Sequence, residues 1–321
     1  MKNPLNNNWL RPLCPKLHVK SFSYTACSLL LVACNLTAKA QQDPIYAQYI
    51  NNPFAINPAY AGSNNMFNAT IQYRTQWAGL EANPSTVNFN SHMSVRQNKV
   101  GVGLQVIQDK IGENTNTEIN TAYSYKIVGK DATFSFGLQA GLARYTNNLS
   151  ALSIYDQGDP SFVSFTETKF NFGAGALVKG DRFIIGLSVP RLIPATVSQG
   201  GQAIQLASQN YYLFGSYLFF LSDMVRFKPS TLLRGTSGST ISVDLNASLT
   251  FKELYTAGVF TRNFRSYGLL VQALYKNLRF GYVFELPGSA TSNLNFVSHE
   301  ITLGISMGVF TYHDKAVNKT F

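Results

Sequence analysis

From Phe67 almost to the C-terminus the sequence keeps a two-residue rhythm, and few folds accept that over so long a run. Val100, Val102, Leu104 and Val106 alternate with Gly101, Gly103 and Gln105. Phe134, Phe136, Leu138, Ala140 and Leu142 alternate with Ser135, Gly137, Gln139 and Gly141. The same pattern returns over 170–176, 241–249 and 301–309. Successive strand side chains point to opposite faces, so each run marks a strand with one apolar and one polar face. A soluble β-sandwich would alternate in the same way. Here the second face is small and weakly polar (Gly, Ser, Asn, Gln) rather than charged, and runs of about 9–11 residues suit a tilted membrane crossing.

Composition points the same way. Charged residues make up 13% and aromatics 13% of the 321 residues, including 23 Phe and 17 Tyr. Mean hydropathy is nonetheless near zero, and the one compact apolar run lies near the N-terminus. A chain of this kind crosses a bilayer as a closed sheet, in which every backbone group is paired strand to strand. The expected fold is all-β: a transmembrane outer-membrane β-barrel of about 14 antiparallel strands, preceded by an irregular N-terminal segment. The strands are predicted near 67–76, 85–95, 99–109, 116–127, 132–145, 169–179, 182–189, 209–220, 225–234, 240–251, 254–262, 266–275, 278–286 and 299–310.

Six connections read as tight, around Gln97-Asn98, Gly129-Lys130-Asp131, Gly180-Asp181, Ser222-Asp223, Lys252-Glu253 and Lys276-Asn277. Those between them (77–84, 110–115, 146–168, 190–208, 235–239, 263–265 and 287–298) are mostly longer. Outer-membrane barrels have short periplasmic turns and longer external loops, which places both chain ends in the periplasm. Tyr125, Phe134, Phe219, Phe220, Phe227, Phe251, Tyr255, Tyr275 and Phe280 flank the tight turns, as an interfacial girdle would.

Residues 1–40 read as an export signal. Lys2, Arg11, Lys16 and Lys20 precede the apolar run 28–33, and Ala38-Lys39-Ala40 forms an A-x-A site, giving cleavage between Ala40 and Gln41. Leu31-Val32-Ala33-Cys34 is the rival, a lipoprotein signal with Cys34 as the lipidated residue. All three cysteines (Cys14, Cys27, Cys34) lie in this segment, so the mature chain has no disulfide frame and no thiolate site. Five positive charges and no acids leave with it, lowering the formal net charge from +10 to +5. That weak basic bias is no nucleic-acid footprint.

Little in the rest suggests chemistry. His92, His299 and His313 are isolated from one another and from any cysteine, so no metal site is expected. His299 and Glu300 are adjacent on a strand and point to opposite faces. No Ser sits in a G-x-S-x-G elbow. Gly101-Val102-Gly103 lacks the third glycine and helix of a phosphate loop. Asp156, Asp159 and Glu167 fall in the longest external loop without EF-hand spacing. No cofactor and no enzymatic activity are expected.

Residues 41–66 are different: turn-forming groups (Asp43-Pro44, Asn52-Pro53, Asn57-Pro58, Gly62-Ser63-Asn64-Asn65) separate Tyr46, Tyr49, Phe54, Ile56 and Tyr60. This segment packs on something, either in the periplasm or inside the barrel. Its Gln42-Asp43-Pro44-Ile45-Tyr46-Ala47-Gln48-Tyr49, followed by Asn52-Pro53-Phe54-Ala55-Ile56-Asn57-Pro58-Ala59-Tyr60-Ala61-Gly62, resembles the start of the PorP/SprF family of type IX secretion system membrane proteins. Tyr73-Arg74-Thr75-Gln76-Trp77, residues 99–104 and 109–112, Gly186-Leu187-Ser188-Val189-Pro190-Arg191-Leu192 and His299-Glu300-Ile301 resemble later family elements in the same order.

The resemblance implies a 14-stranded outer-membrane barrel working with the periplasmic ring and peptidoglycan-linked lipoproteins of the secretion system. It also implies a role in secreting or retaining a surface protein such as a gliding adhesin. A solute channel or porin is the alternative. Asn57, Pro58, Ala59, Tyr60 and Gly62 are the candidate motif. Pro sets φ and Gly permits a tight turn, and the motif either docks a partner or plugs and braces the barrel. The family pattern ends on the last strand with an aromatic. Here Phe310 or Tyr312 is expected to close the barrel, in a unit spanning 67–312, with a tail over 313–321 that ends on Phe321.

N-terminal sequencing of the protein from outer membranes is expected to begin at Gln41. Metabolic labelling with a radioactive fatty acid is expected to leave it unlabelled. A labelled product starting at Cys34 would reverse the assignment.

Overall fold

A computed structural model of the chain describes residue 49 and residues 52–149, 164–199, 202–236, 241–288 and 296–313. The proposed signal, its cleavage site at Ala40 and Gln41, Cys34, and the loop acids Asp156 and Asp159 lie outside the described residues.

The chain runs through β1 (Phe67–Ala78), β2 (Ser85–Val95), β3 (Val100–Ile111), β4 (Asn114–Val128), β5 (Ala132–Asn147), β6 (Phe165–Gly180) and β7 (Phe183–Val189). A separate hairpin follows, β8 (Ala195–Gln199) and β9 (Gln202–Ala207). Then come β10 (Asn210–Tyr217), β11 (Phe219–Phe220), β12 (Val225–Thr236), β13 (Ser242–Phe251), β14 (Tyr255–Arg262), β15 (Ser266–Tyr275), β16 (Leu278–Pro287) and β17 (Val297–Met307). Each wall strand pairs antiparallel with its neighbours, β1 pairs with β17, and β10 pairs with both β7 and β12, so the sheet closes on itself. β10 and β11 are one stave interrupted at Leu218, which gives a closed barrel of 14 strands.

The alternation sorts cleanly between the two faces. Phe134, Phe136, Leu138 and Leu142 of β5 point outward and are exposed, whereas Ser135, Gln139 and Ala143 are buried inside. In β17, Ile301 and Leu303 face out while Glu300 and Thr302 are buried. The apolar belt thus faces lipid and the Gly/Ser/Asn/Gln face lines the lumen. The girdle aromatics Phe134, Phe219, Phe220, Phe251, Tyr255, Tyr275 and Phe280 are exposed at the tight-turn end. Arg182 and Arg226 lie over Phe220 at 5.3 and 5.1 Å, and Lys252 and Lys276 over Phe251 and Tyr275 at 5.4 Å each. Such cation–π pairs suit a membrane interface.

All six tight connections are present. Lys252 and Glu253 both take positive φ (50° and 59°) in the short turn between the paired residues Phe251 and Tyr255. Four details differ from the sequence reading. The 110–115 connection is a two-residue turn, because β3 and β4 pair out to Ile111 and Asn114 and Gly112 supplies a φ of +58°. Glu167 belongs to β6, 3.2 Å from Lys169, and not to the external loop. The 190–208 connection holds the hairpin β8–β9, whose short Thr/Ser/Gln-rich strands carry little alternation signal. The last strand ends at Met307, so neither Phe310 nor Tyr312 closes the barrel. Instead the chain turns back: Phe310 and Tyr312 stack at 5.1 Å, Asn98 donates to the Tyr312 carbonyl at 2.8 Å, and buried His313 bonds the Ser94 carbonyl through Nε2 at 2.8 Å.

Leu138 stands midway along the outward row and is 64% exposed. Leu138→Arg is expected to cost roughly 2–4 kcal/mol in lipid, the value for a cation at a barrel's midplane. Urea unfolding of the refolded barrel in vesicles measures it, with the turn substitution Lys130→Gln expected within about 0.5 kcal/mol of wild type.

Candidate functional site

The irregular segment turns back from β1 into the lumen. A buried loop needs a partner for each backbone polar group, and here the barrel wall supplies them. Pro53–Ala55 and Pro58–Tyr60 each form one turn of 3-10 helix, with proline at the first helical position where its missing N–H is harmless. Asn57 caps the second turn, its Oδ1 accepting the Ala59 N–H at 2.9 Å. Its Nδ2 donates to the carbonyls of Ala176 on β6 and Leu187 on β7 at 3.1 and 3.3 Å. Gly62 has φ +64° and donates its N–H to His92 Nδ1 at 3.1 Å. Tyr60 and Phe54 pack on the same imidazole, with ring centroids 5.6 and 5.0 Å away. Burial pushes the Tyr60 phenol above its ordinary pKa, so it stays neutral.

The wall meets this plug with donors. Gln105 Nε2 bonds the Ala55 carbonyl at 3.2 Å, Ser188 Oγ that of Ile56 at 2.7 Å, and Ser124 Oγ that of Ala61 at 2.8 Å. Lys126 Nζ bonds the Gly62 carbonyl at 2.6 Å and Asn65 Oδ1 at 3.0 Å. Lys179 reaches the Ser63 carbonyl at 3.3 Å. Wall glycines set how close the plug can come. A Cβ on Gly137 would stand 2.2 Å from the Ala59 nitrogen, and one on Gly101 1.9 Å from the Ala61 oxygen. The glycine rows of β3, β5 and β6 are therefore the seat of the plug.

The long-loop half of the lumen is held differently. Arg74, 2% exposed, bonds Glu285 at 2.7 Å and Glu300 at 3.3 Å. Arg262 bonds Asp244 at 3.1 Å and Glu285 at 3.2 Å. These charges tie β1, β13, β14, β16 and β17 together along one side of the bore. Opposite them the chain after β7 folds inward. Gln139 Nε2 donates to the Pro190 carbonyl at 2.9 Å, Leu192 N–H to the Phe172 carbonyl at 2.8 Å, and Arg191 pairs with Glu118. Ala195 and Ala207 of the hairpin then pack on Ala143 and Tyr145 of the inner wall. A chamber of about 90 Å³ remains between hairpin and plug, lined by Tyr49, Gln105, Gln139, Asn171, Arg191 and Tyr212 among others.

Asn57, Pro58, Ala59, Tyr60 and Gly62 are thus brought together inside the barrel, all five buried, and Gly62 also makes the turn. Sequence reasoning missed their partners: Gln105, Ser124, Lys126, Gly137, Ser188 and the inward arm at Arg191. Glycines at alternate positions were the one available signal, and they do not say what they face. His92 is occupied by Gly62, His299 meets the Tyr282 hydroxyl at 2.7 Å on the outer face, and no group of three or more metal-ligating side chains occurs among the described residues.

The family model of type IX secretion system membrane proteins PorP/SprF matches residues 38–305. The chain belongs to the PorP/SprF family. It is accordingly an outer-membrane component of the type IX secretion system. No curated protein sequence matches it. Among solved structures it is similar to the outer membrane protein Omp33 of Acinetobacter baumannii, at 6% identity over 76% of this chain and 99% of that one, with a TM-score of 0.43. A mutant porin of Rh. blastica (10% identity, 76% and 99% covered, TM-score 0.32) and CdiB from Acinetobacter baumannii (8%, 75% and 60%, 0.36) are also similar. The closed barrel is given by the strand pairings themselves.

Asn57→Ala removes a cap and two wall bonds together and is expected to destabilise the barrel by about 1–3 kcal/mol. Gly137→Val places branched carbon where plug backbone already lies and is expected to loosen the plug. Urea midpoints, together with protease cleavage within residues 49–66, measure both effects.

Proposed function

We propose that this barrel is a non-enzymatic docking and anchoring component for cargo of the type IX secretion system. The observation that carries the reading is the plug: donors from β3, β4, β6 and β7 hold it, and glycines are cut to its shape. A lumen filled by so many specific bonds serves a scaffold better than a solute path. The tight-turn mouth faces the periplasm, where the ring and the peptidoglycan-linked lipoproteins of the system meet it. The long-loop face is outward and holds the secreted polypeptide, a gliding adhesin being the kind of surface protein that fits. The motif Asn57, Pro58, Ala59, Tyr60 and Gly62 fixes the plug, and its docking role is indirect: it keeps the periplasmic mouth in one shape.

Deleting the gene is expected to remove at least one large protein from the cell surface, read by mass spectrometry of shaved surface peptides. A strain displaying every surface protein normally refutes the proposal. In planar bilayers the intact barrel is expected to show no steady conductance, and a variant lacking residues 49–65 to conduct. Robust conductance from the intact protein favours the porin reading.

A further inference from the structure

The chamber between hairpin and plug is floored by Ala55 and Ile56 of the plug. Its wall on the β3–β6 side carries the side-chain amides of Gln105, Gln139 and Asn171, each at least nine-tenths buried. The strand registers bring them to one level. Gln105 pairs with Asn120, Asn120 with Gly141 and Gly141 with Asn171, a single row across four strands. Gln139 stands one inward position along β5 from Gly141. All three amides use their nitrogen on the protein. Gln105 Nε2 bonds the Ala55 carbonyl, Gln139 Nε2 the Pro190 carbonyl, and Asn171 Nδ2 the Asn120 Oδ1 at 3.0 Å. Their oxygens are left over. Asn171 Oδ1 is buried without a donor, and among the described residues no donor meets Gln105 Oε1 or Gln139 Oε1. A buried acceptor without a donor is costly, so three on one inner face suit a ligand that brings several donors.

The rest of the lining narrows the choice. Two carboxylates, Asp109 and Glu118, and two guanidinium groups, Arg191 and Arg234, give it a formal charge of zero. Arg191 pairs with Glu118, and Asp109 accepts the Thr86 hydroxyl. Such a lining offers no net attraction to an ammonium or a phosphate. Tyr49, Tyr145 and Tyr212 supply aromatic surface, and Ile107 and Leu232 aliphatic surface. Water satisfies an amide oxygen but gains nothing from those faces. A ligand that uses both is neutral, with hydroxyls at its edge and C–H groups on its faces. The chamber's volume of about 90 Å³ suits one such ring. At roughly 10–15 Å³ for each water it has room for several waters, the bulk of a single sugar. On the long-loop side its lining residues Asn116 and Glu118 are half-buried, so solvent reaches them. Barrel mouths are a common place for pockets of this kind, with a few polar groups set among apolar ones.

We propose that the chamber binds one sugar ring entering from the cell exterior. The amide oxygens of Gln105, Gln139 and Asn171 accept its hydroxyls, and the tyrosine rings cover its C–H faces. The plug beneath bars onward passage, so the site holds the sugar and does not conduct it. Sugar binding is independent of the cargo-docking reading above.

Saturation-transfer NMR on the intact barrel reads this directly, in lauryldimethylamine oxide, a detergent without a sugar headgroup. The probes are glucose, fucose, xylose and N-acetylglucosamine, with free alanine as the control. At least one sugar is expected to receive saturation, and alanine none. Gln105→Met and Asn171→Ala are each expected to weaken binding of that sugar at least fivefold. Lys130→Gln, at the tight-turn mouth, is expected to leave it unchanged. Heat-modifiable migration on gels reports assembly, and the wild-type measurement stands even if both chamber variants assemble poorly. The same sugars fixed to a surface through the anomeric carbon separate the sources. Capture of the barrel there assigns the end of a surface glycan, and binding of the free sugars alone assigns a small solute. No transfer from a folded barrel to any of the four sugars overturns the site. So does equal binding by assembled Gln105→Met and Asn171→Ala barrels, or transfer to alanine as strong as to a sugar.

Discussion

Everything in this barrel follows from the absence of water in the hydrocarbon layer. There a backbone N–H or C=O without a partner is too costly to keep, so strands must pair on both sides and the sheet must close. Closure through β1–β17 and β10–β12 meets that demand. It also creates an enclosed space whose wall carries every second residue of every strand. What those residues do inside was free to vary once the outward ones were fixed as Val, Leu, Ile, Phe and Tyr.

This chain uses the inner wall in two ways. On the β2–β7 side it is glycine and small polar residues, which let a second stretch of backbone lie directly on the sheet. On the β13–β17 side it is charged, with Arg74 and Arg262 bridging three carboxylates. Removing one partner from such a buried set leaves an uncompensated charge, so the network acts as a brace whose members depend on one another. The plug and the brace share the bore, and the inward arm at Pro190–Leu192 closes much of what remains. β7 leaves the wall at Val189 to form that arm, while β5 and β6 stay paired up to Asn147 and Phe165.

The strands, the tight turns and the closed architecture were legible because alternation and turn residues are local signals. The loop that is in fact a two-residue turn at Gly112 was misjudged, since polar strand ends over 110–116 look like loop until a partner strand is seen. The hairpin β8–β9 was invisible for a related reason: its strands hold onto Ala143 and Tyr145 rather than onto an alternating pattern of their own. The end of β17 at Met307 was set by the return of the chain through His313 to Ser94, a contact between residues 219 positions apart.

The amino-acid order alone determined that the chain forms a lipid-facing closed sheet with an Asn-Pro segment ahead of it. A two-residue period and turn-forming pairs are properties of neighbouring residues. Only the tertiary structure decided that this segment fills the lumen, that the glycines of β3, β5 and β6 are its seat, and that the chain after β7 folds inward at Pro190–Leu192. Those facts depend on which distant strands stand side by side, and no spacing along the chain records that.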